Sequence, residues 1–253
     1  MATPTAGMLS KVPAVTLGFW VIKGLATTLG ETGGDALSMQ LGLGYAVSTL
    51  VFLALFAATL TFQLRADRFQ PIAYWSVVVA TTTVGTTASD FFDRTLGLGY
   101  VVSSVVLLLA VMAILGLWLR IRGRIAVDQI TDRRDEIFYW LTILISNTLG
   151  TALGDFAADD AGLGFGGGAL VFTGLLVLVA GAHYFTRLPS ALLFWTAYVL
   201  TRPLGATLGD TLTKPVAAGG LALGQMESSL VMVAAIMLGV FATVWLDQRR
   251  TRQ

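Results

Sequence analysis

WSVVVATTTVGTTASD, residues 75–90, is one of four segments with the same layout. Each segment begins with a Trp and ends fifteen residues later with an Asp: Trp20 and Asp35, Trp75 and Asp90, Trp140 and Asp155, Trp195 and Asp210. A Gly lies ten residues after each Trp: Gly30, Gly85, Gly150 and Gly205. The first two Trp are 55 residues apart, as are the last two, whereas the central step is 65 residues. The chain is therefore a tandem repeat built in two pairs, with repeats at approximately 11–65, 66–122, 133–186 and 187–248.

The composition predicts an integral membrane protein. Hydrophobic residues make up 55% of the chain and charged residues only 12%, against about 25% charged residues in ordinary soluble domains. Apolar segments of about 20 residues, long enough to cross a bilayer, occupy 12–34, 45–64, 70–90, 99–119, 137–156, 164–183, 188–210 and 228–246. We expect an all-α protein with a single membrane domain, residues 1–253, in which eight transmembrane helices form four tandem hairpins. Cysteine is absent, which excludes disulfides and thiolate metal sites.

The distribution of positive charge predicts the orientation in the membrane. Eight spans place both termini on one side, and the loops of that side contain twelve of the sixteen Lys and Arg residues. The opposite side contains only Arg94 and Lys214. The positive-inside rule therefore places both termini, and a linker at 120–136, in the cytoplasm of a cell whose plasma (inner) membrane holds the protein. Because every repeat enters the membrane in the same direction, the repeats are parallel rather than inverted.

The first helix of each hairpin carries a polar stripe. Counted from the Trp, positions 4, 7, 8, 11 and 15 share one helix face. Polar or charged residues on these faces that we single out are Thr28, Glu31, Asp35, Thr83, Asp90, Asn147, Thr148, Asp155, Arg202 and Asp210. The second helices are almost uniformly apolar, so we expect an inner layer of odd-numbered helices and an outer layer of even-numbered ones. Gly30, Gly85, Gly150 and Gly205 allow close helix contacts, and the four Trp are packing or interfacial anchors.

The repeated Asp has two interpretations. As a structural residue, it caps a helix or lies at the outer interface. As a functional residue, it contributes to an intramembrane polar site, and ionisable groups inside a membrane commonly have that role. Glu31 and Arg202 favour the second interpretation, because they stand on the stripe where other repeats have Thr, Asn or Ala. We expect Arg202 to pair with Glu31 or with an Asp of the first or third repeat. Lys23 also lies within its span, where a lysine can snorkel towards the cytoplasm.

Carboxylates, hydroxyls and an amide are hard oxygen ligands, which suit Mg²⁺, Mn²⁺, Ca²⁺, alkali cations or a proton. Acidic residues also predominate on the outer side, where they would attract cations. The sequence therefore predicts a small transporter or channel-like permease for a hard cation. The cation would bind the stripe residues, with Glu31 and Asp35 as candidate metal ligands and Arg202 tuning the charge. No resident cofactor and no nucleic-acid partner are expected; the partners are the lipid bilayer and the cation, and homo-oligomerisation is left open.

The polar stripes also fit a different class of protein. In a non-transporting membrane scaffold or sensor subunit, they would be structural seams between helices. An enzyme is not expected, because the chain lacks the HExxH, GxSxG and phosphate-loop patterns. The segment Thr82-Thr83-Val84-Gly85 is similar to a potassium-channel filter, but a pore loop needs a third segment in each repeat, and only two apolar segments are present.

The chain also resembles a known family. Its first repeat, from Lys11-Val12-Pro13 through Lys23 to Thr28-Leu29-Gly30-Glu31-Thr32-Gly33-Gly34-Asp35, is similar to a bacterial membrane protein family known only as a repeat of unknown function. The similarity covers essentially the whole chain. It implies an eight-helix bacterial inner-membrane protein and carries no activity with it. In the fourth repeat Arg202 and Pro203 replace the Thr-Thr of the first two repeats, which departs from strict fourfold equivalence.

Overall fold

The computed structural model describes residues 10–125, 127 and 130–250. These residues form eight α-helices and no strand, which confirms the predicted all-α class: α1 (Leu17–Asp35), α2 (Gly44–Arg65), α3 (Pro71–Asp90), α4 (Tyr100–Arg122), α5 (Arg133–Asp155), α6 (Gly164–Phe185), α7 (Ser190–Thr213) and α8 (Gln225–Arg250). Short π-helical turns extend α1, α3 and α5: Ala36–Gln40, Phe91–Thr95 and Phe156–Asp160. The termini predicted to be cytoplasmic, residues 1–9 and 251–253, lie outside the described residues.

Local signals set where the helices begin. The Thr16 side chain accepts a hydrogen bond from the Phe19 amide, so α1 begins at Leu17 rather than at residue 12. Asp132 caps α5 in the same way, with its carboxylate 2.7 Å from the Arg134 nitrogen. Because α4 continues to Arg122 and α5 already begins at Arg133, the linker is shorter than the predicted 120–136. The glycine-rich end of α1 stays helical to Asp35.

Four parallel helices form the centre of the fold. Helix α1 packs against α3, α3 against α5, α5 against α7, and α7 back against α1, which closes a ring. We call these four helices the inner bundle. The end that carries the four repeated Asp is the Asp end, and the end that carries the four repeated Trp is the Trp end. Repeats one and two form the first half of the protein, and repeats three and four form the second half.

Each outer helix packs on the inner helix of the following repeat. Helix α2 lies on α3, α4 on α5, and α6 on α7, while α8 returns to lie on α1. The contact face of an outer helix is narrow and includes small residues such as Ser48 on α2 and Gly168 on α6. Each hairpin therefore reaches into its neighbour, and α8 completes the ring between the last repeat and the first.

The outward faces of the outer helices are apolar. Leu50 of α2, Val106 of α4, Leu178 of α6 and Leu238 of α8 are each more than half exposed. Among the described residues, five helices are long and apolar enough to span a bilayer: the four outer helices and α5 with its π-helical turn. An apolar surface this extensive is unusual for a monomer in water and is compatible with a multi-pass membrane protein.

The turn between the two helices of a hairpin explains a repeated sequence motif. Gly42 and Gly44 have φ values of 69° and 73°, and the matching glycines of the second and third repeats have similar positive values. Residues with a side chain rarely adopt this conformation. In the fourth repeat, an inserted loop after Lys214 replaces this turn.

Candidate functional site

Glycine contacts bring the inner helices together in a regular way. The Gly at position 10 of each repeat lies against the residue at position 7 of the next: Gly30 on Thr82, Gly85 on Asn147, Gly150 on Arg202, and Gly205 on Thr27. A methyl group on Gly85 would lie 2.9 Å from the carbonyl carbon of Asn147. Only glycine allows this approach, so the position-7 side chains are held at one level of the bundle.

Two basic residues link the four repeated carboxylates in pairs. Arg94 Nε lies 2.9 Å from Asp90 Oδ1, and its Nη2 lies 3.6 Å from Asp155 Oδ2. Lys214 Nζ lies 2.7 Å from Asp35 Oδ2 and 3.1 Å from Asp210 Oδ1. The four carboxylates are almost fully buried. The Asp end therefore consists of two triads, each an Asp, a base and a second Asp.

These triads connect the two halves of the protein. Arg94 belongs to the first half and reaches Asp155 in the second, whereas Lys214 belongs to the second half and reaches Asp35 in the first. Both bases lie nineteen residues after the Trp of their repeat, and so four residues after its Asp. The matching positions of repeats one and three are Met39 and Asp159. The charge pattern therefore has approximate twofold symmetry, although the helix arrangement is nearly fourfold.

A third ion pair lies deeper in the inner bundle. Arg202 Nη2 is 3.0 Å from Glu31 Oε2, which is one of the partners predicted from the sequence. Arg202 also donates to the Thr86 hydroxyl, and Thr86 in turn donates to the Gly30 carbonyl oxygen. Arg202 is fully buried and extends from α7 towards α3, across the middle of the ring.

Lys23 occupies the next level towards the Trp end. Its Nζ lies 3.4 Å from the Asn147 side-chain oxygen and 4.2 Å from the centre of the Tyr198 ring. The Asn147 amide nitrogen donates to the Thr81 hydroxyl at 3.0 Å. Lys23 is fully buried inside the bundle and does not snorkel towards the Trp end. Packing between α1, α5 and α7 holds its side chain inside the bundle.

The predicted ligands do not all come together. Carboxylate oxygens of Glu31, Asp35 and Asp210 lie within 4.8 Å of one another, and all three residues are buried. Asp90 and Asp155 meet at Arg94 instead. The hydroxyls of Thr28, Thr83 and Thr148 donate to carbonyl oxygens of their own helices. In each case a backbone carbonyl oxygen one turn earlier has a lone pair available to accept the hydrogen bond. Asn147 contacts Lys23 and Thr81 rather than a carboxylate.

The Trp end is filled with aromatic side chains. Trp75, Trp140 and Trp195 are buried in one apolar cluster, and Trp20 packs against it. The hydroxyls of Tyr74 and Tyr139 lie 2.7 Å apart within the same cluster. This aromatic layer lies between the polar groups inside the bundle and the outer surface of the Trp end.

The ion pairs described above do not balance in charge. Five carboxylates pair with three bases, which leaves these eight groups a formal surplus of two negative charges when every one of them is ionised. Burial lowers the pKa of Lys214, which follows the last residue of α7, but the carboxylates of Asp210 and Asp35 outweigh burial and raise that pKa above its ordinary value. Lys214 therefore stays positively charged. The arrangement suits the binding of a further positive charge.

Arg94, Lys214 and Lys23 are the site residues that the sequence interpretation missed. A usable signal for the first two was present, because a base four residues after an Asp on a helix commonly pairs with it. The signal occurs in repeats two and four only, and it says nothing about the second Asp that each base reaches.

Comparisons with known proteins agree with the repeat structure. No match was found among curated proteins or among solved structures. A family described as "Repeat of Unknown Function (DUF347)" matches four times, at residues 18–69, 73–124, 138–188 and 193–251. These four matches coincide with the four hairpins and cover most of the chain, and the protein therefore belongs to this DUF347 family.

Proposed function

We propose that this protein is a multi-pass membrane carrier for a hard cation, with its Trp end and both termini in the cytoplasm. The observation that carries the proposal is the buried group of Glu31, Asp35 and Asp210, whose oxygens lie within 4.8 Å of one another at the Asp end. Carboxylate oxygens at this spacing fit Mg²⁺, Mn²⁺ or an alkali cation. The acidic surplus would concentrate cations at this end.

Lys214 determines how a cation would enter. Its ammonium already bridges Asp35 and Asp210, and 17% of its side chain remains exposed. In the proposed cycle, an incoming cation displaces this ammonium, which moves outward on the loop that begins there. Arg94 makes a different contact, because a guanidinium binds carboxylates through a rigid fork. We therefore assign cation exchange to the Lys214 triad and a structural role to the Arg94 triad.

The centre of the bundle favours a carrier over an open channel. Arg202 and Lys23, both fully buried, extend across the ring from α7 and α1. A cation moving along the axis of this conformation would meet the Arg202 guanidinium, the Lys23 side chain and then the aromatic layer. Transport therefore requires a rearrangement of the inner helices, such as a rotation of one half against the other.

Asp35→Asn tests the proposed site. We expect the purified wild type to be stabilised by one cation of the set Mg²⁺, Mn²⁺, Ca²⁺, Na⁺ and K⁺, by about 2.7 kcal/mol at a hundredfold excess over the dissociation constant. Asp35→Asn should remove this shift and the uptake of the same ion into proteoliposomes. Asp160→Asn is the matched control, because Asp160 is exposed at the same end of the bundle. An undiminished shift in Asp35→Asn would contradict the proposal.

Lys214→Met tests the role of the bridging ammonium. Without it, Asp35 and Asp210 lose their shared partner, so we expect lower stability in the absence of cation. The cation that stabilises the wild type should bind to Lys214→Met about tenfold more tightly than to the wild type, which corresponds to roughly 1.4 kcal/mol of binding free energy. Titration calorimetry of wild type, Lys214→Met and Lys214→Arg measures the effect, and the arginine variant should bind more weakly than Lys214→Met. Equal affinities in all three proteins would show that Lys214 does not compete with the cation.

A membrane scaffold is the second candidate function. The specific observation in its favour is that all three bases at the Asp end join different repeats, with Arg94 and Lys214 clamping the two halves together. In a scaffold, Asp35→Asn would lower the melting temperature and every added cation would leave it unchanged. The cation series above therefore distinguishes the two functions.

A further inference from the structure

A short segment before α1 crosses the Trp end and is tied to both halves. The Ser10 carbonyl oxygen accepts a hydrogen bond from the Phe69 amide at 3.0 Å, in the first half. The Lys11 amide donates to the Ile130 carbonyl oxygen at 2.9 Å, just before the second half. The Gln63 side-chain nitrogen donates to the Lys11 carbonyl oxygen at 3.2 Å. Neither a helix nor a strand dictates these bonds, so they are specific to this segment.

The Lys11 side chain adds a partly buried ion pair between the halves. Its Nζ lies 2.9 Å from Glu136 Oε2 and 3.3 Å from the Leu64 carbonyl oxygen. Glu136 is fully buried, and its other carboxylate oxygen accepts from Gln63 at 3.3 Å. Lys11 and Gln63 belong to the first half, and Glu136 to the second. Breaking such a pair leaves a buried charge without its partner.

The segment covers the seam between α3 and α5. Val12 and Ile130 are buried in the same apolar cluster as Tyr74 and Tyr139. The Tyr74 and Tyr139 hydroxyls meet across that seam. The Lys11 contact joins this segment and the end of α2 to α5, so it links the two halves at the Trp end as Arg94 does at the Asp end.

We propose that residues 10–12 form a latch that closes the Trp end of the seam between α3 and α5, and that release of Lys11 from Glu136 exposes the interior at this end. The latch is held by one ion pair and a few hydrogen bonds, whereas the seam beneath it is held by helix packing along its whole length. Opening should therefore begin at the latch. The role of the latch as a cytoplasmic gate rests on the proposed carrier function. Its control of access to the interior at the Trp end does not depend on that function.

The absence of cysteine from the chain makes the latch testable by thiol labelling. Ile143→Cys places one thiol at a fully buried position of α5, in the cluster beneath the latch. The full-length protein in lipid nanodiscs is treated with a membrane-impermeant maleimide. We expect the thiol introduced by Ile143→Cys to be labelled about tenfold faster when Lys11→Met is also present than when it is absent. The reason is that the labelling rate of a buried thiol follows the population of the open state. Gln63→Leu should give a smaller acceleration.

Two controls make the test specific. Arg68→Met removes an exposed base at the same end, where Arg68 lines an adjoining groove of about 640 Å³, and should leave the rate unchanged. Ala206→Cys places the thiol at a fully buried position near the Asp end and should stay unreactive in Lys11→Met.

The proposal is overturned if Lys11→Met leaves the rate at residue 143 unchanged, or accelerates residue 206 equally, because the contact would then hold the whole bundle rather than one end. If Lys11→Met does not fold, Gln63→Leu decides by the same criteria. No cation is needed for labelling, so failure of the latch and failure of the cation site are seen separately.

Discussion

Arg202→Met is expected to lower the free energy of unfolding by about 3–5 kcal/mol, the usual effect of removing one partner from a buried ion pair. Arg202 is fully buried and, among the described residues, forms the ion pair with Glu31. Methionine fills part of the volume but leaves the Glu31 carboxylate with the Thr86 hydroxyl, 3.3 Å away, as its hydrogen-bond donor among the described residues. The uncompensated charge, rather than the lost packing, dominates the effect.

Reversible unfolding in detergent measures this change, and Arg187→Met provides the control. Arg187 is an exposed base between α6 and α7, so its replacement should alter stability by less than about 0.5 kcal/mol. The double variant Arg202→Met, Glu31→Gln should recover much of the loss, because a buried ion pair replaced on both sides is often nearly neutral. If the double variant is as unstable as Arg202→Met, Arg202 acts through packing against Gly150, and the charge argument is wrong.

Much of the fold follows from the sequence because the repeat is read along single helices. The spacing from Trp to Asp fixes the helix length, and the Gly at position 10 marks the face that meets the next helix. The pairing of Arg202 with a carboxylate of another repeat was also predictable, since an arginine on a buried polar stripe needs an acidic partner and Glu31 was one of the candidates. These inferences need only helical periodicity and the cost of burying a charge.

The remaining features depend on which repeats become neighbours. The loops would allow an outer helix to pack on its own repeat or on the next, and the structure shows the second arrangement. Arg94 and Lys214 were counted as outer-surface bases because their second partners, Asp155 and Asp35, become adjacent only when the ring closes. The Thr hydroxyls, in contrast, were predicted to belong to the cation site and do not. Sharing a face with an Asp does not bring Thr28 or Thr83 to the site when a backbone carbonyl one turn earlier takes the hydroxyl hydrogen.

The mismatch between fourfold packing and twofold charge bears on mechanism. Helix contacts repeat four times, but a base at position 19 occurs only in repeats two and four, so Arg94 and Lys214 link the two halves and not the repeats within a half. A rearrangement that keeps each half intact would therefore break the two triads together with the packing of α3 and α4 on α5 and of α7 and α8 on α1. The exchangeable charges at the Asp end and the latch at the Trp end lie on these boundaries between halves.

Gly85→Ala is expected to destabilise the protein by about 1–3 kcal/mol, the usual cost of overpacking a core. For a chain of this size, that corresponds to a melting temperature lower by roughly 2–12 °C. The added methyl group would lie 2.9 Å from the Asn147 carbonyl carbon and 3.1 Å from its oxygen, and these backbone atoms cannot move without shifting α5. A shift of α5 would also disturb the contact of Asn147 with Lys23.

Gly24→Ala is the matched control, because a methyl group there meets no atom within 4 Å. This glycine lies in the inner helix α1, where alanine is favoured over glycine by up to about 1 kcal/mol, so the control should be neutral or slightly stabilising. Thermal unfolding of the two variants in the same detergent measures the difference. A Gly85→Ala variant as stable as Gly24→Ala would mean that α3 and α5 are not in backbone contact. The seam on which the latch and the Arg94 triad both depend would then have a different geometry.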